Sequence, residues 1–143
     1  MDRVDYTNTF IAQAPDAAAA TGISPPVKDA APSVAARTFA MVAEHPYRYT
    51  SGDVIFTVWA DRRGIPEPDR AAAREEFYGK SQACLRSSDL GKRYGWGIHA
   101  DGDGHIAVYA VDSPEYAAFE SGSSPIDGGT VAVTRAMRSA RQK

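Results

Sequence analysis

The tetrapeptide Asp101-Gly102-Asp103-Gly104 constrains this chain more than any other feature. It separates two short runs, Gly95–Ala100 and His105–Val111, both rich in apolar and β-forming residues. Asp-Gly pairs accept the positive backbone angles of tight turns, so the three pieces together predict an antiparallel hairpin. If Asp101 pairs with Gly104, His99 stands opposite Ile106. That register sets Trp96, Ile98, Ala107, Tyr109 and Val111 on one face. Gly97, His99, Ile106, Val108 and Ala110 fall on the other, and His99 and His105 are kept apart.

The rest of the chain is read outward from this hairpin. Thr7–Ala14 is a first strand. Residues 15–32 form an irregular Ala/Pro-rich loop over the surface, because Pro25, Pro26 and Pro32 oppose regular structure. Ser33 caps a helix over Val34–Glu44, which Pro46 ends. Asp53–Ala60 has apolar residues at both alternating sets of positions and reads as a central strand. A second helix spans Pro68–Tyr78, with Gly79 as a left-handed stop. Ser87 or Ser88 caps a short turn through Leu90, and Ser113 caps a short helix to Phe119 or Glu120. Thr130–Ala136 is a last strand, followed by a basic tail from Met137 to Lys143. The expected class is α+β, a single domain over 1–143 with a mainly antiparallel sheet of about five strands and about three helices.

Bulk properties narrow the function. A length of 143 residues buries a core without metals or disulfides. The net charge of -2 supplies no broad positive field, which argues against nucleic acid and anionic membranes as partners. One cysteine forms no internal disulfide, the first ten residues lack the apolar core of a signal peptide, and no run is long enough to span a bilayer. The expectation is a cytoplasmic protein without a cofactor.

Chemistry concentrates in Lys80–Val111. Arg86, Ser87, Ser88, Lys92 and Arg93 lie within eight positions, with Gly91, Gly95 and Gly97 among or beside them. A helix start at Ser88 plus a guanidinium suits a small anionic ligand such as a phosphate or carboxylate. The bland alternative is a solvated loop. Tyr94 and Trp96 add rings to the basic residues, as single-strand nucleic-acid platforms do, although a strand tryptophan is more often core. Cys84 is the one thiol. With His99 as base and Asp101 or Glu44 as orienter it has the makings of a nucleophile, but flanked by Ala83 and Leu85 it also fits a buried apolar position. His99 itself is either a hydrogen-bonded core histidine, the preferred reading, or part of a pocket opened by Gly97. No metal is expected, because Asp101, Asp103 and Asp112 match a calcium loop only loosely and the turn already accounts for them. The apolar strand faces would allow a homodimer.

The segments NTFIA, HPYRYTSGDVIF, REEFYGKSQACLRSSDLGKRYGWGIHADGDGHIAVYAV and AMRSAR together resemble an uncharacterised family of small bacterial and fungal proteins, domain of unknown function 6157. The block Leu90–His99 is the most specific part. The likeness extends over nearly the whole chain and implies no activity. The functional expectation is therefore a small-ligand, anion-binding or interaction domain with its site near Cys84–His99. The competing expectation is a small enzyme acting on an anionic metabolite through Cys84 or His99.

Overall fold

The computed structural model describes residues 2–27 and 32–139; the end of the basic tail and part of the 15–32 loop lie outside them. Four strands, β1 Thr9–Ala12, β2 Trp96–Ala100, β3 Ile106–Ala110 and β4 Ala132–Arg135, form one sheet in the order β3-β2-β1-β4. The helices are α1 Val34–Glu44, α2 Ser51–Arg63, α3 Arg70–Tyr78, α4 Asp89–Lys92 and α5 Pro114–Glu120. The α+β class holds, but the described residues form four strands and five α-helices rather than five and three. The sheet is also mixed. β1–β2 and β2–β3 are antiparallel, whereas β1 and β4 are parallel. The cause is the β3–α5–β4 crossover, which passes β2 and β1 and brings β4 back in the direction of β3.

Helices cover both faces of the sheet. Ile11, Ile98, Ala100 and Ile106 pack against Val42 of α1 and Val54 and Val58 of α2. Phe10 and Ala12, one residue out of phase on β1, pack against Tyr116 and Phe119 of α5 and against Val131. Phe10 is fully buried, and burial of such a side chain stabilises by about 1.5–3 kcal/mol. A third cluster, Phe56, Ala60 and Phe77, joins α2 to α3.

Asp53–Ala60 is helix, not strand. Thr50 Oγ1 accepts the Asp53 N–H at 3.1 Å and Asp53 Oδ2 accepts the Thr50 N–H at 3.0 Å, a complete capping box. At the other end Gly64 adopts φ 66° and closes the last turn. The apparent period of two has a physical origin. Val54 and Val58 form one helical stripe facing the sheet, and Phe56 and Ala60 form another facing α3. Interleaved, two stripes at i, i+4 spacing look like a strand buried on both sides.

Two local expectations also change. Gly79 ends α3 with φ −67°, so its N–H reaches carbonyls of the last turn without a left-handed step. The hairpin is one residue longer than the simplest turn. The Asp101 N–H donates to the His105 carbonyl at 3.0 Å, and Gly104 takes φ 83°, which leaves a three-residue loop. His99 therefore opposes Ala107, and Gly97 opposes Tyr109. Every side chain of β3 is on the opposite face from the one predicted.

Candidate functional site

The segment after α3 folds back across the helices because Leu85, 5% exposed, is anchored in the core. A single 3-10 turn, Leu85–Ser87, follows it. The Ser87 hydroxyl donates to the Cys84 carbonyl at 2.8 Å, and Ser88 Oγ accepts the Leu90 N–H at 3.2 Å to start α4. Between this segment and α1, α2 and α3 lies a cavity of about 340 Å³. Its buried lining is apolar except for Thr38 and includes Ala35, Val58, Phe77 and Leu85. Trp59 adds a half-buried ring that packs on Phe77 at 4.7 Å. Thr38, Arg62, Gln82, Cys84, Ser87, Ser88 and Asp89 supply the polar groups.

Charge at this cavity is unbalanced. Asp89 already faces Arg93 at 3.8 Å, whereas Arg62 makes no ion pair among the described residues. Arg62 is also exposed, so its guanidinium is free to meet a ligand at the mouth. Cys84 Sγ shares a hydrogen bond of 3.3 Å with Tyr6 Oη. Burial, with the thiol beside it, pushes the Tyr6 hydroxyl up to about 12, so it stays protonated at neutral pH.

The residues singled out in the sequence divide among different tasks. Ser87, Ser88 and Cys84 line the cavity. Arg86 turns away, its Nε donating to the Arg135 carbonyl at 2.7 Å, and thereby ties this segment to β4. Lys92 and Arg93 end α4, with Arg93 exposed. Tyr94 and Trp96 hold the 15–27 loop from two sides: the Tyr94 carbonyl accepts the Ile23 N–H at 2.9 Å, and Trp96 Nε1 donates to the Ile23 carbonyl at 2.9 Å. Arg62, Trp59 and Phe77 were not among the sequence candidates. The signal that could have found Trp59 and Arg62 is Thr50-Ser51-Gly52-Asp53, which starts a helix and sends both toward the 82–89 segment.

His99 is elsewhere. It is 4% exposed, its ring stacks on Phe119 at 4.2 Å, and its Nδ1 lies 2.8 Å from Tyr47 Oη. Burial pulls its pKa below the ordinary histidine value against the opposing pull of Asp101 and Asp127. Cys84 and His99 line separate cavities, so the thiol and the imidazole are not brought together as nucleophile and base. Gly97 opens no pocket beside His99; the Phe10 ring lies over the space a Cβ would take. Glu44 ends α1 and is exposed. His105 sits by Asp101, Nδ1 to Oδ1 4.0 Å, rather than with His99. Asp101, Asp103 and His105 bring ligand atoms within 4.8 Å of one another on this turn. Asp101 Oδ1 is already accepting the N–H groups of Asp103 and His105, both at 2.9 Å, so turn geometry accounts for the cluster.

Among the described residues no helix is long and apolar enough to cross a membrane. The model of a family of unknown function (DUF6157) matches residues 1–142. No curated protein and no solved structure matches the chain.

Proposed function

The chain belongs to this family of unknown function, and since membership brings no activity with it, we propose from the cavity geometry that the protein binds a small ligand with an apolar body and an anionic end. The observation that carries this reading is the apolar cavity of about 340 Å³ with the unpaired Arg62 among its lining residues. Small-molecule sites have this character: mostly apolar walls and a few polar groups that fix orientation. The body of the ligand sits against Val58, Trp59 and Phe77. Its carboxylate or phosphate meets the guanidinium of Arg62 and the hydroxyl of Ser88, whose proton is not used within the turn.

Trp59 is a built-in reporter. In a Trp96→Phe background, its fluorescence is followed while the protein is titrated with medium-chain and aryl carboxylates and with the matching alcohols. Saturable quenching by the acids, weakened in Arg62→Ala, is the expected result. Equal response to acids and alcohols would remove the anionic end from the proposal. No saturable response to either would remove the site.

A further inference from the structure

A second cavity, of about 170 Å³, lies on the other side of the sheet from the first, where the start of β1, the hairpin turn and the 121–131 loop meet. His99 lines it with a ring that is 4% exposed. Nδ1 of that ring is taken by Tyr47, Nε2 has no partner among the described residues, and the ring lines the cavity. A buried ring nitrogen that opens onto a polar cavity is a hydrogen-bonding group waiting for a guest.

The nature of the guest follows from the lining. Asp101 and Asp127 are there, with the neutral polar side chains of Asn8, Ser124 and Thr130, and no lysine or arginine. Asp127 Oδ1 accepts the Gly129 N–H at 2.8 Å, and Asp101 Oδ1 accepts two turn N–H groups, so both carboxylates are fixed in place. The cavity is thus negative, the reverse of the mouth at Arg62. A metal ion does not fit. Among the described residues only Asp101, Asp103 and His105 bring three ligand atoms within 4.8 Å, so His99, Asp101 and Asp127 are too spread for one ion.

We propose that this cavity binds a small organic cation, a primary ammonium or guanidinium group on a compact polar body, with His99 Nε2 accepting one of its N–H bonds and Asp101 and Asp127 balancing its charge. The hydrogen bonds behind the ring allow Nε2 to act as an acceptor. Tyr47 Oη carries one proton and lies 2.8 Å from both His99 Nδ1 and Tyr109 Oη. When Nδ1–H donates to Tyr47, and Tyr47 donates to Tyr109, the lone pair of the imidazole is left on Nε2. Burial favours the neutral ring that this arrangement requires. The inference uses none of the residues of the apolar cavity and stands apart from the function proposed there.

The test is imidazole ¹⁵N NMR on the full chain, titrated with ethanolamine, methylguanidine, glycolate and Zn²⁺. Ethanolamine or methylguanidine should move the His99 signals saturably and leave Nε2 as the unprotonated nitrogen, and glycolate should not. Asp127→Asn, a change at an exposed residue, should weaken the cation roughly fivefold without unfolding the protein. A response to glycolate equal to that of the amines would overturn the proposal. So would an Asp127→Asn variant with unchanged affinity, or Zn²⁺ saturating the site while the amines do not.

Discussion

Tyr47 holds its backbone at φ 60° and delivers its hydroxyl to within 2.8 Å of His99 Nδ1. For a tyrosine this left-handed conformation costs on the order of 1–3 kcal/mol, and it persists because the residue is held from two directions. The Tyr47 N–H donates to the Ile106 carbonyl at 2.8 Å, and the hydroxyl spans His99 and Tyr109. Tyr47→Phe keeps the ring and removes the hydroxyl. The buried Nδ1 then loses its partner, for an expected loss of about 1–3 kcal/mol in urea unfolding. A loss within error would mean that the contact adds nothing to the fold.

The triad of Tyr47, His99 and Tyr109 shows why the site was only partly legible in the sequence. The sequence predicts His99 as a polar group beside Ile106, Val108 and Ala110; it is instead flanked by Ala107 and Tyr109, with its ring against Phe119. Tyr109 was placed on the opposite face, because the Asp-Gly repeat was given a two-residue turn. One extra loop residue, with Gly104 in the left-handed region, turns Tyr109 toward His99. Composition identifies a hairpin; a single residue of loop length decides which side chains meet. Ser33 and Ser113 cap their helices as expected, and of Ser87 and Ser88 it is Ser88 that does so, because a cap is a local interaction. The strand assigned to Asp53–Ala60 failed because burial on two sides of a helix depends on partners far away in sequence, the sheet and α3.

His99 also makes stability depend on pH. Its folded pKa is depressed, so the unfolded chain binds the proton more readily. The contribution is complete above the unfolded value near 6.5 and is lost as pH falls through the lower folded value. The titratable groups that face the ring are Tyr47, Asp101 and Asp127. The melting temperature should therefore fall as pH drops below about 6.5, and the fall should shrink in His99→Gln. An identical pH profile in that variant would assign the dependence to other groups.

Asp53 works in the opposite pH range. Burial raises its carboxyl pKa, but the Thr50 N–H and Arg74 outweigh this and hold it below 3.8. Arg74 also reaches Asp2 at 2.7 Å, so one guanidinium joins the start of the chain to the first turn of α2. Asp53→Ala removes half the capping box and should cost about 1 kcal/mol at neutral pH. The sign is that of a depressed carboxyl: the stabilisation is present above 3.8 and disappears as pH falls through the folded value. Denaturation curves of wild type and variant should converge as pH falls below 3.8. A gap that stays constant into acid would exclude the ionised carboxylate as its source.

Two glycines on the same hairpin should respond very differently to a methyl group. At Gly97 a Cβ would run into the ring of Phe10, with Tyr116 also close. Phe10 is stacked on Phe119 at 5.0 Å and fully buried, so it has nowhere to retreat. At Gly102 the nearest atom to a new Cβ is Asn8 Oδ1 at 3.6 Å, an ordinary contact with an exposed side chain. Gly97→Ala should lose about 1–3 kcal/mol or more, and Gly102→Ala well under 1 kcal/mol. Phe10→Leu shortens the obstructing ring at its far end. Alone it should destabilise, but in the Gly97→Ala background it should cost less than in the wild type, because one change makes the room the other needs. Chemical denaturation of the four proteins of that cycle gives the coupling directly. Simple additivity would mean that the Phe10 ring is not what keeps position 97 a glycine.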